Sequence, residues 1–411
     1  MKNKDAQNLI VGLDIGTSKI VAIVAELMPE GDIKVIGLGQ HESRGLKRGV
    51  VVNIDSTVAA IQRALEEAEL MADCKISSVY TGIAGSHIKS LNSHGVVKIK
   101  DAEVHQSDVD RVVEMAQAIS LPNDQQILHI LTQEFIIDGQ EDVREPLGMS
   151  GMKLEVKVHI VTGAVAAAQN IIKCVKRCGL EVNDLVLQPL ASSLSVLTED
   201  EKELGVCLVD IGGGTTDIAV FKQGAIRHTG IISIAGDQIS NDIAVAFRTP
   251  TQNAEEIKVQ HGCTLQQLAD PSLMIEVAGA EGREPRQLSH PILVEVIEAR
   301  VKEIYEMVQS ELRRSGFEQM IPAGIVITGG SSLMRGMVEL GEEVLGTSVR
   351  LGLPAKVGGL SEVVSNPRYS TGVGLLLMGK SQLERHLQTQ SETTSFGRLW
   401  DMMKSWFQGN F

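Results

Sequence analysis

Apolar and polar residues follow one another along this chain in blocks, and one block occurs twice. The runs Ile10-Val11-Gly12-Leu13 and Ile20-Val21-Ala22-Ile23-Val24 flank the stretch Asp14-Ile15-Gly16-Thr17-Ser18-Lys19. Further along, Val206-Cys207-Leu208-Val209 and Ile218-Ala219-Val220 flank Asp210-Ile211-Gly212-Gly213-Gly214-Thr215-Thr216-Asp217. Short runs of Val, Ile and Leu bounded by Gly predict buried strands, so each copy reads as a β-hairpin. Apolar residues at helical spacing predict a helix over Thr57–Met71. From Gly82 to Gly163 the pattern predicts a strand (Val96–Ile99), a helix (Val109–Ile119, capped by Ser107) and two strands (Ile127–Ile137 and Met152–Val161). Such a run suits a small inserted domain of βαββ type. The repeated hairpin, together with helical periods between strands, predicts an α/β fold of two lobes.

The two turns carry the candidate chemistry. Their glycines allow positive φ and let backbone N–H groups approach an anion, while Thr17, Ser18, Thr215 and Thr216 add short hydroxyl donors. Asp14 and Asp210 end their first strands beside the turns, so closing the lobes aims both carboxylates at one point. Two carboxylates beside a polyphosphate require a cation between them, and Mg²⁺ held largely through water meets that need. A third element, Gly324-Ile325-Val326-Ile327-Thr328-Gly329-Gly330-Ser331-Ser332, reads as a strand, a double-Gly turn and a helix start, with Ser331 or Ser332 as N-cap. Gly329 and Gly330 would let a flat adenine lie against the backbone.

One literal motif fails on physical grounds. Gly374-Leu375-Leu376-Leu377-Met378-Gly379-Lys380-Ser381 spells a P-loop, but its middle residues want burial and the following run is polar. This segment instead predicts a buried helix ending at Gly379.

Charge and composition narrow the classes further. The net charge of −14 over 411 residues argues against nucleic acid and gives the body no attraction to anionic lipid. No run approaches the ~20 apolar residues of a membrane span. Five cysteines and no leader ahead of the first strand point to a reducing cytoplasm. Cys174 and Cys178 share a helical spacing but lack a matching second pair, so buried thiols are expected rather than a metal site. His87, His94 and His105 are scattered and read as structural or solvated.

The last residues change this picture. After the polar run 381–395, both tryptophans and three of the seven phenylalanines fall within 396–411. On a helix, Phe396, Leu399, Trp400, Met403, Trp406 and Phe407 share one face. A helix of that length spans about 24 Å and carries charges, so it suits lying on a bilayer rather than crossing it. A terminal helix packed on the body fits the periodicity too, although the polar linker argues for detachment. The segment's own charge is +1 against −15 for the rest, so one copy binds weakly and a polymer would add avidity.

The two hairpins and the double-Gly turn, in this order, resemble the superfamily of actin, heat-shock chaperones and sugar kinases. With the inserted domain and the aromatic tail, the whole chain resembles the FtsA family of actin-like bacterial division proteins. The resemblance implies an ATP-binding, filament-forming adaptor that ties FtsZ to the inner face of the cytoplasmic membrane at the septum. It also implies that later division proteins are recruited through the inserted domain. Gln188, in the helix Leu187–Leu194 that links the lobes, would orient water, which implies slow hydrolysis at best. Gly236 and the helix bearing Glu255 and Lys258 match the family's ribose and adenine contacts, although a solvated face fits that helix equally. The FtsZ tail would meet the outer part of the second lobe, where Arg286, Arg300 and Lys302 are either its cationic partners or ordinary surface charge. The implied division is 1–81, 164–194 and 360–380 for the first lobe, with 82–163 inserted, and 195–230 and 304–359 for the second lobe. Residues 231–303 form the second lobe's outer subdomain, 381–395 a linker and 396–411 the membrane helix. The alternatives are a pilus-assembly relative and a soluble small-molecule kinase of the same superfamily, neither of which explains the aromatic tail.

Overall fold

The computed structural model describes residues 8–279 and 284–384. The repeat in the sequence is a repeat in topology. In the first lobe the strands lie in the order Glu181–Leu187, Ser78–Ile83, Leu9–Ile15, Lys19–Leu27, Ile33–Glu42, with the two-residue strand Gly358–Gly359 at the edge. In the second lobe they lie in the order Val349–Leu351, Ile325–Thr328, Val206–Ile211, Thr216–Lys222, Ala225–Ile232. Each sheet is an antiparallel meander grown from a motif hairpin, joined to parallel strands on its other side. The registers match as well. Ile15 pairs with Ile20 and Ile211 with Thr216, so each turn encloses four residues.

Both hairpins are apolar on each face because each sheet is covered twice. In the first lobe, helices Ile54–Ala72 and Val165–Arg177 cover one face through Ile61, Ala64, Ala168 and Ile171. The other face takes Val373, Leu375 and Leu376 from the helix over 370–384. The second lobe packs around Ile297, Val301 and Tyr305 of the helix His290–Ser315. The helix predicted over Thr57–Met71 begins earlier, at Ile54, because the Asn53 side chain accepts the Ser56 N–H at 3.0 Å.

The inserted domain is a four-stranded antiparallel sheet in the order Lys89–Lys98, Lys153–Ala164, Gln125–Ile137, Gln140–Val143, backed by the helix Gln106–Gln117. Its first strand is longer than its apolar part, since Asn92, Ser93 and His94 pair fully with the neighbouring strand. The helix starts after His105 rather than Ser107, because Asp108 reaches back to accept the His105 N–H at 3.1 Å. The domain is seated on the second lobe's edge strand. Ser90 Oγ donates to Thr229 O at 3.1 Å, Gln133 Nε2 to Ile226 O at 2.9 Å, and His159 bridges Asn92 Oδ1 and Thr229 Oγ1. Burial pulls His159 down to about 4, so it serves this joint as a neutral ring.

The helix expected to end at Gly379 continues to residue 384. Gly379 is there for close packing: a Cβ would fall 2.6 Å from both Ile10 and Tyr80. Beyond it, Leu383 joins the core and Gln382 Nε2 donates to Asp184 at 2.6 Å, which extends the helix into the first residues of the polar run. The tail residues Phe396, Leu399, Trp400, Met403, Trp406 and Phe407 lie outside the described residues, as does the rest of the linker. Among the described residues no helix is long and apolar enough to cross a membrane. Cys174 is buried as expected, whereas Cys178 is only partly so.

The helices 370–384 and Gln188–Val196 cross at Gly374, where a Cβ would lie 1.8 Å from Ala191 O. We predict that Gly374→Ala destabilises the protein by about 1–3 kcal/mol or more in urea denaturation. Gly358→Ala, with its nearest neighbour at 3.6 Å, stays within about 0.5 kcal/mol of the parent.

Candidate functional site

The two turns face each other across a cleft of about 650 Å³. They are built alike: Gly16 N donates to Lys19 O and Gly212 N to Thr215 O, each at 3.0 Å. Their tips nearly touch, since a Cβ on Gly213 would fall 1.7 Å from Ser18 Oγ. The carbonyls of the second turn are held by the second lobe, Gly212 O by Ser331 Oγ (2.8 Å) and Gly236 N (3.1 Å), Gly213 O by Asp237 N (2.8 Å). The amides of Gly213 and Gly214 line the cleft and donate to no described residue. Ser18 Oγ donates to Asp237 Oδ1 at 3.0 Å, a direct bond between the lobes.

Three carboxylates meet on the cleft floor. Asp14 and Asp210, 7% and 8% exposed, end the equivalent strands, and Asp217 stands opposite Asp210 in the hairpin register. Burial pushes Asp14 up to about 6, against the pull of Lys19 and with a push from Asp210. Burial also raises Asp210, although the hydroxyl of Ser192 at 2.7 Å and the Lys19 ammonium hold it down. Asp217 is pushed up to about 8, first by burial and then by Asp210. Its Oδ2 accepts from Thr215 Oγ1 at 2.9 Å, while its buried Oδ1 has no partner among the described residues. Burial brings Lys19 down to about 7; its ammonium donates to Arg368 O and lies 4.7 Å from the centre of the Tyr369 ring. Buried carboxylates crowded together, one with an orphaned oxygen, are a site that a cation would relieve. Among the described residues no group of three or more His, Cys, Asp or Glu is placed to chelate a metal directly, so a cation here would keep water or ligand oxygens.

Most of the expected binding residues come together. Asp14, Gly16, Thr17, Ser18, Lys19, Gln188, Asp210, Gly212, Gly213, Gly214, Thr215, Glu255, Lys258, Gly329, Gly330 and Ser331 all line the cleft. Gln188 opens its helix and donates Nε2–H to Asp14 Oδ1 at 3.1 Å. Thr216 does not line the cleft: its hydroxyl donates to Ile234 O at 2.8 Å. Gly236 sits behind the wall, its carbonyl accepting from Lys258 Nζ at 3.0 Å. That buried lysine also pairs with Glu255 at 2.6 Å, so the two side chains brace each other. Ser331 and Ser332 cap no α-helix. The turn passes into a 3-10 helix, Gly330–Leu333, and the following helix begins after Gly336.

Sequence reasoning missed Asp217, Val259, Gly262, Met334, Arg335, Arg368 and Thr371 on the cleft walls. Asp217 had a signal, a second acid closing the Gly-rich run. The others reach the cleft through tertiary structure and have none. The candidate partner cations stand apart from the cleft. Arg300 is engaged by Asp242 and Glu303, Arg286 Nη2 donates to Phe247 O, and Lys302 is exposed on the helix His290–Ser315.

Comparison with known proteins bears on the family and the fold. The family profile "Cell division protein FtsA" matches residues 207–374, and "SHS2 domain inserted in FTSA" matches residues 85–162. The chain is 57% identical to the cell division protein FtsA of Pseudomonas aeruginosa, with 100% of each chain covered. It is 50% identical to that of Neisseria meningitidis (98% of this chain and 99% of the relative) and 45% to that of Escherichia coli K12, with the same coverage. The pilus protein in the structure of the "PilM-PilN type IV pilus biogenesis complex" superposes with a TM-score of 0.66 at 18% identity, covering 90% of this chain and 98% of that one. MreB5 of Spiroplasma citri bound to ADP superposes with a TM-score of 0.57 at 14% identity, covering 92% and 98%. These two show an actin-like fold.

The carboxylate floor gives a pH test. The folded chain keeps the Asp217 proton up to about 8, whereas the unfolded chain loses it near 3.8. The folded state therefore binds more protons across that window, and stability falls as pH rises through it. Asp217→Asn removes this loss. The variant, free of ligand, melts higher than the parent at pH 8, and the gap closes toward pH 4. Asp14 and Lys19, which also titrate in this window, are present in both proteins, so the difference between the curves reports on Asp217. Parallel melting curves at every pH would contradict the assignment.

Proposed function

The chain belongs to the FtsA family of cell division proteins, and from that premise we propose that it is an ATP-binding, filament-forming adaptor that holds FtsZ at the cytoplasmic membrane. The observation that carries the nucleotide part is the cleft in which two like turns oppose free amides across buried carboxylates. In this reading the amides of Gly213 and Gly214 and the hydroxyls of Thr17, Ser18 and Thr215 receive phosphate oxygens. The adenosine lies toward Gly329, Gly330, Ser331 and Met334, against the braced pair Glu255 and Lys258. Mg²⁺, when bound, offsets the charge between the phosphates and the carboxylates of Asp14, Asp210 and Asp217. Gln188, anchored on Asp14, orients water but has no basicity to activate it, so turnover is slow and the bound nucleotide acts mainly as a clamp between the lobes.

The membrane part rests on the aromatic face of 396–411. Each deeply buried large side chain offers about 1.5–3 kcal/mol before ordering costs reduce it, enough for weak, reversible binding by one chain. Polymerisation multiplies these contacts and sets residence at the anionic membrane surface of the septum. Arg286 and Lys302 remain the candidate contacts for an acidic FtsZ tail, with Arg300 available only after release from Asp242. The inserted domain offers a separate face for later division proteins.

Co-flotation tests the adaptor role. With Mg·ATP and vesicles containing anionic lipid, the full chain carries purified FtsZ into the floating fraction. A chain truncated after Ser395, or one with Trp400→Glu and Trp406→Glu, leaves both proteins at the bottom while melting normally. Flotation of FtsZ by the truncated chain, or none by the full chain, would overturn the reading.

A further inference from the structure

Arg368 follows Pro367 in the 3-10 turn Pro367–Tyr369, which leads directly into the helix over 370–384. Its backbone is fixed on both sides, the N–H donating to Asn366 Oδ1 at 3.1 Å and the carbonyl accepting the Lys19 ammonium. Its side chain is fixed by nothing comparable. Arg368 lines the cleft, its Nε is buried without a hydrogen bond, and its side chain forms no ion pair with any described carboxylate. Burial lowers the Lys19 ammonium first, and the nearby Arg368 charge adds to that lowering. Two adjacent cations, one of them without a counter-ion, define a place for an anion that the protein does not itself supply.

Position indicates which part of a ligand this is. The wall carrying Gly329, Ser331 and Met334 belongs to the second lobe, whereas Arg368, Lys19 and Gln40 belong to the first. Tyr369, whose ring faces Lys19, donates its hydroxyl to Gln40 Oε1 at 3.0 Å and ties that side together. A nucleotide whose adenosine occupies the second-lobe wall passes between the two turns before it reaches this corner. We infer that Arg368 is a terminal-phosphate contact that distinguishes a nucleoside triphosphate from a diphosphate, an inference that rests on the nucleotide reading above. A guanidinium fork matches two oxygens of a terminal phosphoryl group, and a diphosphate leaves that fork empty.

The test uses the full chain and calorimetric titration with ATP and with ADP, each with Mg²⁺, on the parent, Arg368→Gln and Arg368→Lys. Loss of a charged hydrogen-bonded contact lowers ATP affinity by about tenfold or more in Arg368→Gln, with ADP affinity changed less than about threefold. Arg368→Lys recovers part of the loss, since it restores the charge without the fork. An unchanged ratio of ATP to ADP affinity in Arg368→Gln overturns the inference, as does an equal fall for both ligands with normal melting. A parent chain that binds neither nucleotide removes the nucleotide reading itself, and this inference with it.

Discussion

The burial of Asp14, Asp210 and Asp217 at one point between two lobes is the constraint on which the rest of the architecture depends. Carboxylates out of water and close to one another are unfavourable in their ionised forms, and burial raises the pKa of all three. The fold offsets part of this with local partners, Ser192 on Asp210, Thr215 on Asp217, Gln188 on Asp14 and the Lys19 ammonium. Among the described residues it leaves Asp217 Oδ1 unmatched. Under the proposed function a cation would relieve this site, and a ligand that brought the cation would also tie the two lobes together.

Duplication explains how such a point can be built. Each sheet delivers its carboxylate at the end of the same strand, followed by a turn with the same internal hydrogen bond. The lobes are linked by the helices Gln188–Val196 and 370–384, which contact through Gly374, carry Gln188 and Thr371 to the cleft and place Ser192 behind it on Asp210. The joint between the inserted domain and the edge strand Ala225–Ile232, centred on His159 and Thr229, adds a third connection outside the cleft. The linking helices and the inserted domain thus both bear on the relative position of the lobes, and in the proposed function a bound nucleotide would do so too.

What could be read in the sequence was local chemistry. The paired turns were legible because a Gly-rich loop between apolar runs encodes its own geometry, and Asp14 and Asp210 came with it. Features that depend on distant partners were not. Ser331 looked like an N-cap but bonds Gly212 O of the neighbouring turn within the second lobe, and Thr216 looked like a phosphate ligand but bonds Ile234 O. Gly379 resembled a helix stop, yet it exists to let the helix pass Ile10 and Tyr80. Asn92 and His159 are polar positions in strands, and only the docking of the inserted domain on Thr229 gives them a purpose. Arg368 has no motif at all; its significance lies in what surrounds it.

The most direct test of the account is calorimetric titration of ATP into the full chain with Mg²⁺, repeated in the presence of a chelator. The account predicts one site per chain and loss of most of the affinity when Mg²⁺ is removed, because the carboxylate floor then repels the phosphates. Equal affinity with and without Mg²⁺, or more than one site, would contradict the assignment of the cleft as a cation-bridged nucleotide clamp.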